Sequence, residues 1–164
     1  MQRRHLILGS AVSIAACASF APQKPLFKDN SVTQSLRPAK PEDGFSFPYI
    51  LQIPALAADA VVPHLLVETN NSGPISSEVE PHLAPTSELA RQGLGGRVSL
   101  ALRAPLLMPV FPRDTEIYTH SLGRSTMLSD SRTLRRLDLQ LLAMAQDAKH
   151  ELARQGHRVH PKLM

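Results

Sequence analysis

The sequence predicts an α/β fold, and three of its features lead to that prediction. The 164 residues are 43% hydrophobic, which is enough for a packed core. Aromatic residues make up only 4% and tryptophan is absent, so the core must consist mainly of Leu, Val, Ile and Ala, which does not favour a β-sandwich. Apolar runs alternate with segments of helical period, and we therefore expect a mostly parallel sheet of three to four strands with flanking helices.

Three apolar runs predict strands. Residues 45–54 combine aromatic and β-branched side chains between proline boundaries. Residues 64–70 form a short run that ends in turn residues, as a buried strand does. Residues 104–113 are almost continuously apolar, which is typical of a strand covered on both faces. Because Pro109 in this run has no N–H to donate, we expect a bulge or an irregular pairing there.

Two segments have features of helices. In the first, Ser87 is a candidate N-cap, and glycines at positions 93, 95 and 96 weaken the middle, so we expect a broken or bent helix. In the second, residues 133–155, apolar side chains recur every three or four positions, and Gly156 stands where a C-terminal cap belongs. Residues 114–131 between them have turn composition and no steady period, which indicates a loop.

The helix predicted over residues 133–155 has one apolar stripe and several polar sides. The stripe consists of Leu134, Leu137, Leu141, Ala145, Ala148 and Leu152. The polar positions, which predict a solvated face, are Arg135, Arg136, Asp138, Gln146, Asp147 and Glu151. Residues 159–164 follow as the beginning of another strand. This order of elements implies βαβ crossovers, with ligand sites beyond the carboxyl ends of the strands.

The N-terminus has the layout of an export signal. Residues 1–16 combine Arg3 and Arg4 with an apolar stretch and small residues before Cys17, and they are too short for a permanent membrane span. The stretch "IAAC" resembles a bacterial lipobox, and a lone cysteine has no internal disulfide partner. We therefore predict an exported cell-envelope lipoprotein, anchored to the membrane through lipidated Cys17. Both the general and the twin-arginine export routes stay open.

Residues 17–43 contain four prolines among polar side chains, which predicts an extended tether before a domain over residues 44–164. Removal of the signal would leave 16 basic against 14 acidic residues. No basic cluster is interleaved with aromatic residues, so we expect no nucleic-acid partner.

Parts of the predicted domain resemble an export-associated group within the α/β-hydrolase superfamily. The similar stretches are "HLLVETNNSG", "APLLMPVFPRD" with the downstream "YTHSL", and "LRRLDLQLLAMAQDAKHELARQGHRVHPKLM". The resemblance is one of pattern and order, and it covers most of the chain from about Phe45 onward. It implies that the strand over residues 159–164 leads into a nucleophile elbow, a Gly-x-Ser-x-Gly turn of serine esterases and related acyl-transfer hydrolases.

No Gly-x-Ser-x-Gly occurs in the 164 residues. Because the acid and the histidine of this fold follow the serine, the resemblance implies that the whole triad lies beyond Met164. We therefore expect an N-terminal portion of a hydrolase that is catalytically silent, and a small ester substrate only in a full-length form. The resemblance also implies an oxyanion loop after "HLLVETN". Its candidate residues, which are equally common in ordinary turns, are Asn70, Asn71, Ser72 and Gly73.

No cofactor and no metal site is predicted. His157 and His160 form an H-x-x-H pair near His150, but no carboxylate or cysteine completes a defined ligand set. Serines without a recognisable elbow, to which no nucleophilic role is assigned, are Ser72, Ser121 and Ser125. An alternative function of a different class is a complete small envelope lipoprotein that acts as a non-enzymatic binding or structural module.

Overall fold

The computed structural model describes residues 32–57, 60–69, 73–113, 121, 123–128 and 136–160, and within them the protein is a mixed α/β structure. The strands are β1 (Val32–Arg37), β2 (Tyr49–Pro54), β3 (Val61–Val62), β4 (Leu66–Val67), β5 (Leu106–Pro109) and β6 (Arg158–Val159). The helices are α1 (Glu80–Gln92), α2 (Leu94–Leu102), α3 (Arg124–Met127) and α4 (Leu137–Arg154), with a 3-10 helix at Pro41–Asp43. The α/β class predicted from the sequence is confirmed.

The main sheet is mixed rather than mostly parallel, so that part of the prediction is wrong. Its strand order is β1-β2-β5-β4. β2 runs antiparallel to both β1 and β5, whereas β4 and β5 run parallel. β1 lies within residues 17–43, which the prolines had marked as a tether, and it pairs with β2 along six residues. The folded part of the chain therefore includes residues before Gly44.

All three predicted strands are shorter than their apolar runs, and β5 covers only Leu106–Pro109 of residues 104–113. β2 begins only at Tyr49, and Phe45 instead forms an isolated bridge with Lys40. The run over residues 64–70 contributes only β4, while β3 lies just before it. Pro63 stands between β3 and β4, and its missing N–H accounts for an interruption at this point.

No bulge occurs within the pairing of β2 and β5, contrary to the expectation from Pro109. The register runs without a gap from Gln52 opposite Leu106 to Tyr49 opposite Pro109. The N–H of Val110 bonds the carbonyl of Pro48 on the β2 side. The nitrogen of Pro109 therefore faces the other side of the strand, where pairing with β4 has already ended. A proline is tolerated there because no ladder bond is lost.

The broken helix is confirmed, but its predicted N-cap is wrong. α1 begins at Glu80, with a proline in its first turn. Ser87 lies inside α1, and its hydroxyl donates to Gln34 Oε1 at 2.9 Å. α1 and α2 meet at Gly93, whose backbone is extended. A Cβ on Gly96 would overlap the carbonyl oxygen of Ala90, so the close junction of the two helices requires glycine there.

The last helix and its cap agree largely with the sequence. α4 covers Leu137–Arg154, and Gly156 follows it with φ +87°, the left-handed conformation that helix C-termini favour. Leu137, Ala148 and Leu152 are buried, as the apolar stripe predicts. Leu134 and Arg135 lie outside the described residues. The segment predicted as a loop contains the single-turn helix α3, while residues 114–120, 122 and 129–131 lie outside the description.

A strand after α4 is confirmed, but its position differs from the expected one. β6 pairs in parallel with β3 in a separate two-stranded sheet and not with β5. Residues 161–164 lie outside the description. β3 and β4 are separated by only three residues, so the stretch from Val61 to Val67 pairs with β6 through its first part and with β5 through its second.

The core has two parts because side chains of a strand alternate between the faces of a sheet. Tyr49, Leu51 and Ile53 of β2 pack on the face covered by α4. Ile50 of β2 packs on the other face, against Ala90 and other residues of α1. The helices thus lie on both sides of the sheet, and the loops lie at its edges.

Candidate functional site

The carboxyl ends of the parallel strands β4 and β5 bring two loops together. The chain leaving β4 reaches Gly73, and the chain leaving β5 reaches Arg113. Arg113 Nη1 donates to the carbonyl oxygen of Gly73 at 3.1 Å, so the two loops are in contact. His82, in the first turn of α1, contacts both of them. We call Gly73, Ser76, His82 and Arg113 the carboxyl-end cluster, because ligands of open α/β sheets bind at this edge.

His82 is fully buried, and its ring is held through one nitrogen. Nε2 lies 3.2 Å from the carbonyl oxygen of Ser76 and 3.4 Å from the backbone nitrogen of Arg113. The carbonyl of Ser76 accepts from Nε2 when that nitrogen is protonated, and the backbone N–H of Arg113 donates to Nε2 when it is not, so each tautomer of the ring keeps one of these two bonds. Nδ1 is buried without a hydrogen-bond partner in both tautomers.

Gly73 is the described member of the predicted oxyanion loop, and its surroundings admit no side chain. Its φ of +112° is disfavoured for other residues. A Cβ at this position would lie 3.2 Å from His82 Nδ1 and 3.9 Å from Pro85 Cβ. The other predicted members, Asn70, Asn71 and Ser72, lie outside the described residues.

Unpartnered buried side-chain atoms occur on five described residues, two of them at this edge of the sheet. Glu68 directly follows β4, and its Oε2 is buried without a partner beside Gly95 of α2, where a Cβ would overlap it. His82 Nδ1 is the second. The other three residues, which lie in β1, in β2 and after α4, are Arg37, Gln52 and His157. An unsatisfied buried polar atom is costly, and it is a feature that functional sites retain.

The carboxyl-end cluster offers binding and positioning groups but no activated nucleophile among the described residues. Arg113 supplies guanidinium donors, and His82 supplies a buried ring nitrogen without a partner. Ser76 is the serine of the cluster, and its hydroxyl accepts a hydrogen bond from the backbone N–H of Glu78 at 3.1 Å, while His82 contacts only its carbonyl oxygen. A serine nucleophile needs a base at its hydroxyl. Of the other serines considered in the sequence, Ser121 is buried and Ser125 is exposed on α3. The arrangement can hold a polar group at the end of β4 and β5, and bond cleavage needs a further group.

A second polar site lies where α4 packs against β1 and β2. Asp147 accepts hydrogen bonds from Tyr49 Oη at 2.7 Å and from Lys40 Nζ at 2.5 Å. Arg37 lies 3.4 Å from Asp147 and 3.1 Å from Glu151. We call these five residues the buried ion-pair network. Both carboxylates are buried, so the prediction that they belong to a solvated face is wrong.

The pKa values in this network favour a structural role. Burial alone would raise the pKa of Asp147, but hydrogen bonds from Lys40 and Tyr49, together with the charge of Arg37, lower it below its ordinary value. Burial and the hydrogen bond to Asp147 raise the pKa of Tyr49 far above its ordinary value. Asp147 is therefore anionic and Tyr49 neutral at every physiological pH, and neither is suited to transfer protons.

Glu151 is equally fixed in one ionisation state. Hydrogen bonds from Arg154 and Gln155 lower its pKa to about 2. Arg37 Nη1 adds an ion pair at 3.1 Å. These partners occupy its carboxylate oxygens, which leaves the group without free acceptor capacity for a ligand.

A groove of about 320 Å³ lies between β1, β2 and α1. Its lining residues are Gln34, Leu36, Ile50, Leu83, Ala84 and Ser87. The two polar side chains in this lining bond each other, since Ser87 Oγ donates to Gln34 Oε1 and Gln34 Nε2 donates to the carbonyl of Ser87 at 3.0 Å. The groove therefore presents no free polar group for orienting a ligand, and we prefer the carboxyl-end cluster as the candidate site.

The structure describes some of the other residues that the sequence analysis considered. Cys17 lies outside the described residues. His150 is exposed on α4, and the backbone N–H of His160 bonds the carbonyl of Val62. Among the described residues, no group of three or more histidine, cysteine, aspartate or glutamate side chains could hold a metal ion. None of the helices in the described ranges is long and apolar enough to cross a membrane.

Sequence reasoning overlooked His82 and the buried carboxylates, although weak signals exist for both. His82 stands between Pro81 and Pro85, which mark the first turn of a helix, and a residue there faces the end of a neighbouring strand. Asp147 and Glu151 are four residues apart and adjoin the apolar positions Ala148 and Leu152. Side chains at i and i+4 share one helix face, and a carboxylate pair next to the stripe could have been assigned to the edge of the buried face.

Comparison with known proteins gives no relative from which a function could be transferred. No protein-family model matches the sequence, and no curated protein or solved structure is significantly similar to it.

Proposed function

We propose that this chain provides the oxyanion-loop half of an exported, lipid-anchored α/β-hydrolase-like protein that acts on small esters. The observation that carries the proposal is the carboxyl-end cluster. The loops after two parallel strands meet there, at Gly73 and Arg113, around a buried histidine whose Nδ1 has no hydrogen-bond partner. In this superfamily the loop after the corresponding strand donates a backbone N–H to the developing oxyanion.

The order of the strands supports the proposal. An antiparallel strand pair followed by parallel strands is found in many open α/β sheets that carry catalytic sites, and an α/β-hydrolase sheet begins in a similar way. Here β1 and β2 form the antiparallel pair, α1 and α2 connect β4 to the parallel β5, and α4 connects β5 to β6. β6 is parallel to β3. In the proposed fold the nucleophile elbow follows the strand that β6 resembles.

The absence of a Gly-x-Ser-x-Gly turn from the 164 residues makes a definite prediction for activity. An oxyanion donor lowers the barrier only when a nucleophile attacks the bound carbonyl. We expect the purified chain to hydrolyse p-nitrophenyl acetate and butyrate no faster than buffer. Turnover that is lost on Ser121→Ala or Ser125→Ala would contradict the proposal, because these variants would then have identified a nucleophile within the chain.

The decisive experiment is to translate the coding sequence downstream of codon 164 and to assay the resulting longer protein. The proposal expects a Gly-x-Ser-x-Gly within a few residues of Met164 and ester hydrolysis that is lost when its serine is replaced by alanine. A stop codon at this point, or a continuation without an elbow, would favour the alternative function of a non-enzymatic envelope lipoprotein.

One observation favours that alternative. The described residues already bury both faces of the sheet, and the ion-pair network fixes β1 to α4. Such a domain can present a rigid surface to a partner without any catalytic group.

Both proposed functions share the anchor, which a separate experiment tests. We expect metabolic labelling with an alkyne fatty acid to modify the protein in a bacterial host, and Cys17→Ala to abolish the label and to release the protein from the membrane fraction.

A further inference from the structure

We propose that His82 is a positioning residue of the carboxyl-end cluster, whose ring fixes the turn at Gly73. The function of that turn as an oxyanion loop rests on the proposed function above. The positioning role itself rests on the contacts of His82 and can be tested without any catalytic activity.

The first argument is that His82 connects three segments of the chain. It belongs to α1, its Nε2 lies 3.2 Å from the carbonyl oxygen of Ser76 in the loop before α1, and the backbone N–H of Arg113 is directed at the same nitrogen at 3.4 Å. Arg113 in turn donates to the carbonyl of Gly73. A change in the ring therefore alters the loop after β4 and the segment after β5 together.

The second argument is steric. His82 Nδ1 lies 3.2 Å from the position that a Cβ on Gly73 would occupy. The ring therefore packs on the Cα of Gly73 and limits the conformations of the turn on this side. The φ of +112° at Gly73 is open to glycine, which has no side chain to limit its backbone, so the limit on this turn comes from its neighbours.

The third argument comes from the unpartnered nitrogen. A leucine would fill a similar volume without burying a polar atom, so a histidine at this position is unfavourable as simple core filling. What the imidazole adds is a directional hydrogen bond through Nε2 and a flat ring against Gly73. Both properties belong to positioning and not to hydrophobic packing.

The test compares three substitutions by NMR spectroscopy of the uniformly labelled full chain. His82→Gln places an amide group, with one donor and one acceptor, near the position of Nε2, His82→Asn cannot reach that position, and His82→Leu keeps only the volume. We expect the backbone amide resonances of Gly73 and Arg113 to stay close to their wild-type positions in His82→Gln. They should shift in His82→Asn and His82→Leu. His150→Gln, at an exposed position on α4, is the matched control and should leave both resonances unchanged.

Two results would overturn the proposal. One is a wild-type-like Gly73 resonance in His82→Leu together with a shifted one in His82→Gln, since volume alone would then hold the turn. The other is the absence of a nuclear Overhauser effect between the ring protons of His82 and the Hα protons of Gly73 in the wild-type protein, since a ring that does not lie against Gly73 cannot hold the turn. The second measurement needs no variant, so it decides the matter even if the substitutions unfold the protein. A failure of ester hydrolysis in the longer protein would refute the proposed function and leave these NMR outcomes unaffected.

Discussion

The buried ion-pair network and the carboxyl-end cluster both remove polar side chains from water, but they differ in how fully these are partnered. In the network, Asp147 and Glu151 are paired with Arg37, Lys40 and other donors. Among the described atoms of the network, the buried one without a partner is Arg37 Nε. In the carboxyl-end cluster, His82 Nδ1 is unpartnered, and the carbonyl of Gly73 accepts an exposed hydrogen bond from Arg113. The comparison separates a site that stabilises the fold from one that is available for binding.

The physical reason for this difference lies in what each site would lose on rearrangement. Breaking the network would strand charges in a partly dehydrated position, which is strongly unfavourable. Moving the loop at Gly73 would break the exposed hydrogen bond from Arg113 and the packing of the His82 ring, but it would leave no charge buried without a partner. Low local stability is what a binding loop requires.

The largest expected effect is that of removing the central carboxylate of the network. Asp147→Ala leaves Lys40 and Arg37 without their shared partner and the buried Tyr49 hydroxyl without an acceptor, so we expect a loss of about 3–5 kcal/mol in the free energy of unfolding. Urea denaturation followed by circular dichroism measures this loss. Asp138→Ala on the same helix, whose side chain is 27% exposed, should cost less than about 1 kcal/mol. Equal losses in the two variants would show that the network is not a major source of stability.

The second prediction concerns pH. The pKa of Glu151 is lowered in the folded state to about 2, below its ordinary value of 4.5, so the unfolded chain binds protons more readily. The stabilisation from this group is fully present above pH 4.5 and is lost as the pH falls from 4.5 towards 2. Glu151→Gln should cost about 1.5–3 kcal/mol at neutral pH, as hydrogen bonds to charged groups do, and should flatten the acid limb of a plot of stability against pH. Glu88→Gln, on the exposed face of α1, should leave that limb unchanged.

A smaller effect is expected at the glycines with positive φ. Gly73→Ala and Gly156→Ala both force alanine into a left-handed conformation, which costs about 1–2 kcal/mol. Gly73→Ala should be the more destabilising of the two, because its Cβ would press on His82 Nδ1, whereas nothing lies within 4 Å of a Cβ on Gly156. Thermal denaturation of both variants under the same conditions gives the order. The reverse order would mean that the turn at Gly73 yields without cost, and that His82 does not constrain it.

The smallest effect is expected for Arg113→Ala. It removes one exposed hydrogen bond to Gly73, so the free energy of unfolding should fall by less than about 1 kcal/mol. Arg97→Ala, at an exposed position on α2, serves as the control in the same denaturation experiment. A loss as large as that of Asp147→Ala would assign the carboxyl-end cluster to the structural framework and remove the contrast between the two sites.

The sequence was sufficient for elements whose stability is local or whose apolar pattern is strong. α4 and its glycine cap followed from a periodic stripe, and β5 from a continuous apolar run. It was insufficient for β1, whose sequence "VTQSLR" has no continuous apolar run and gains its hydrogen bonds only from β2. The pairing partner of such a strand decides whether it forms, and the composition of β1 by itself is that of a tether.

The candidate site was predictable only in its location. The rule that ligands bind beyond the carboxyl ends of parallel strands, applied to "HLLVETNNSG" and "APLLMPVFPRD", led to Gly73 and its loop. His82 was overlooked because its partner Arg113 is brought to it by the crossing of α1 over the sheet. Asp147 and Glu151 were assigned to solvent for the same reason: their shared partner Arg37 lies more than a hundred residues away in sequence.

The amino-acid sequence by itself determined the α/β class, the break between α1 and α2, and the helix that ends before Gly156, because backbone propensity and side-chain period act over a few residues. Tertiary structure alone decided the direction of the strands, the pairing of β6 with β3, and the pairing of Arg37 and Lys40 with the buried carboxylates of α4. These depend on contacts between segments far apart in the chain, where burial turns a polar side chain from a solvated group into one that must find a partner.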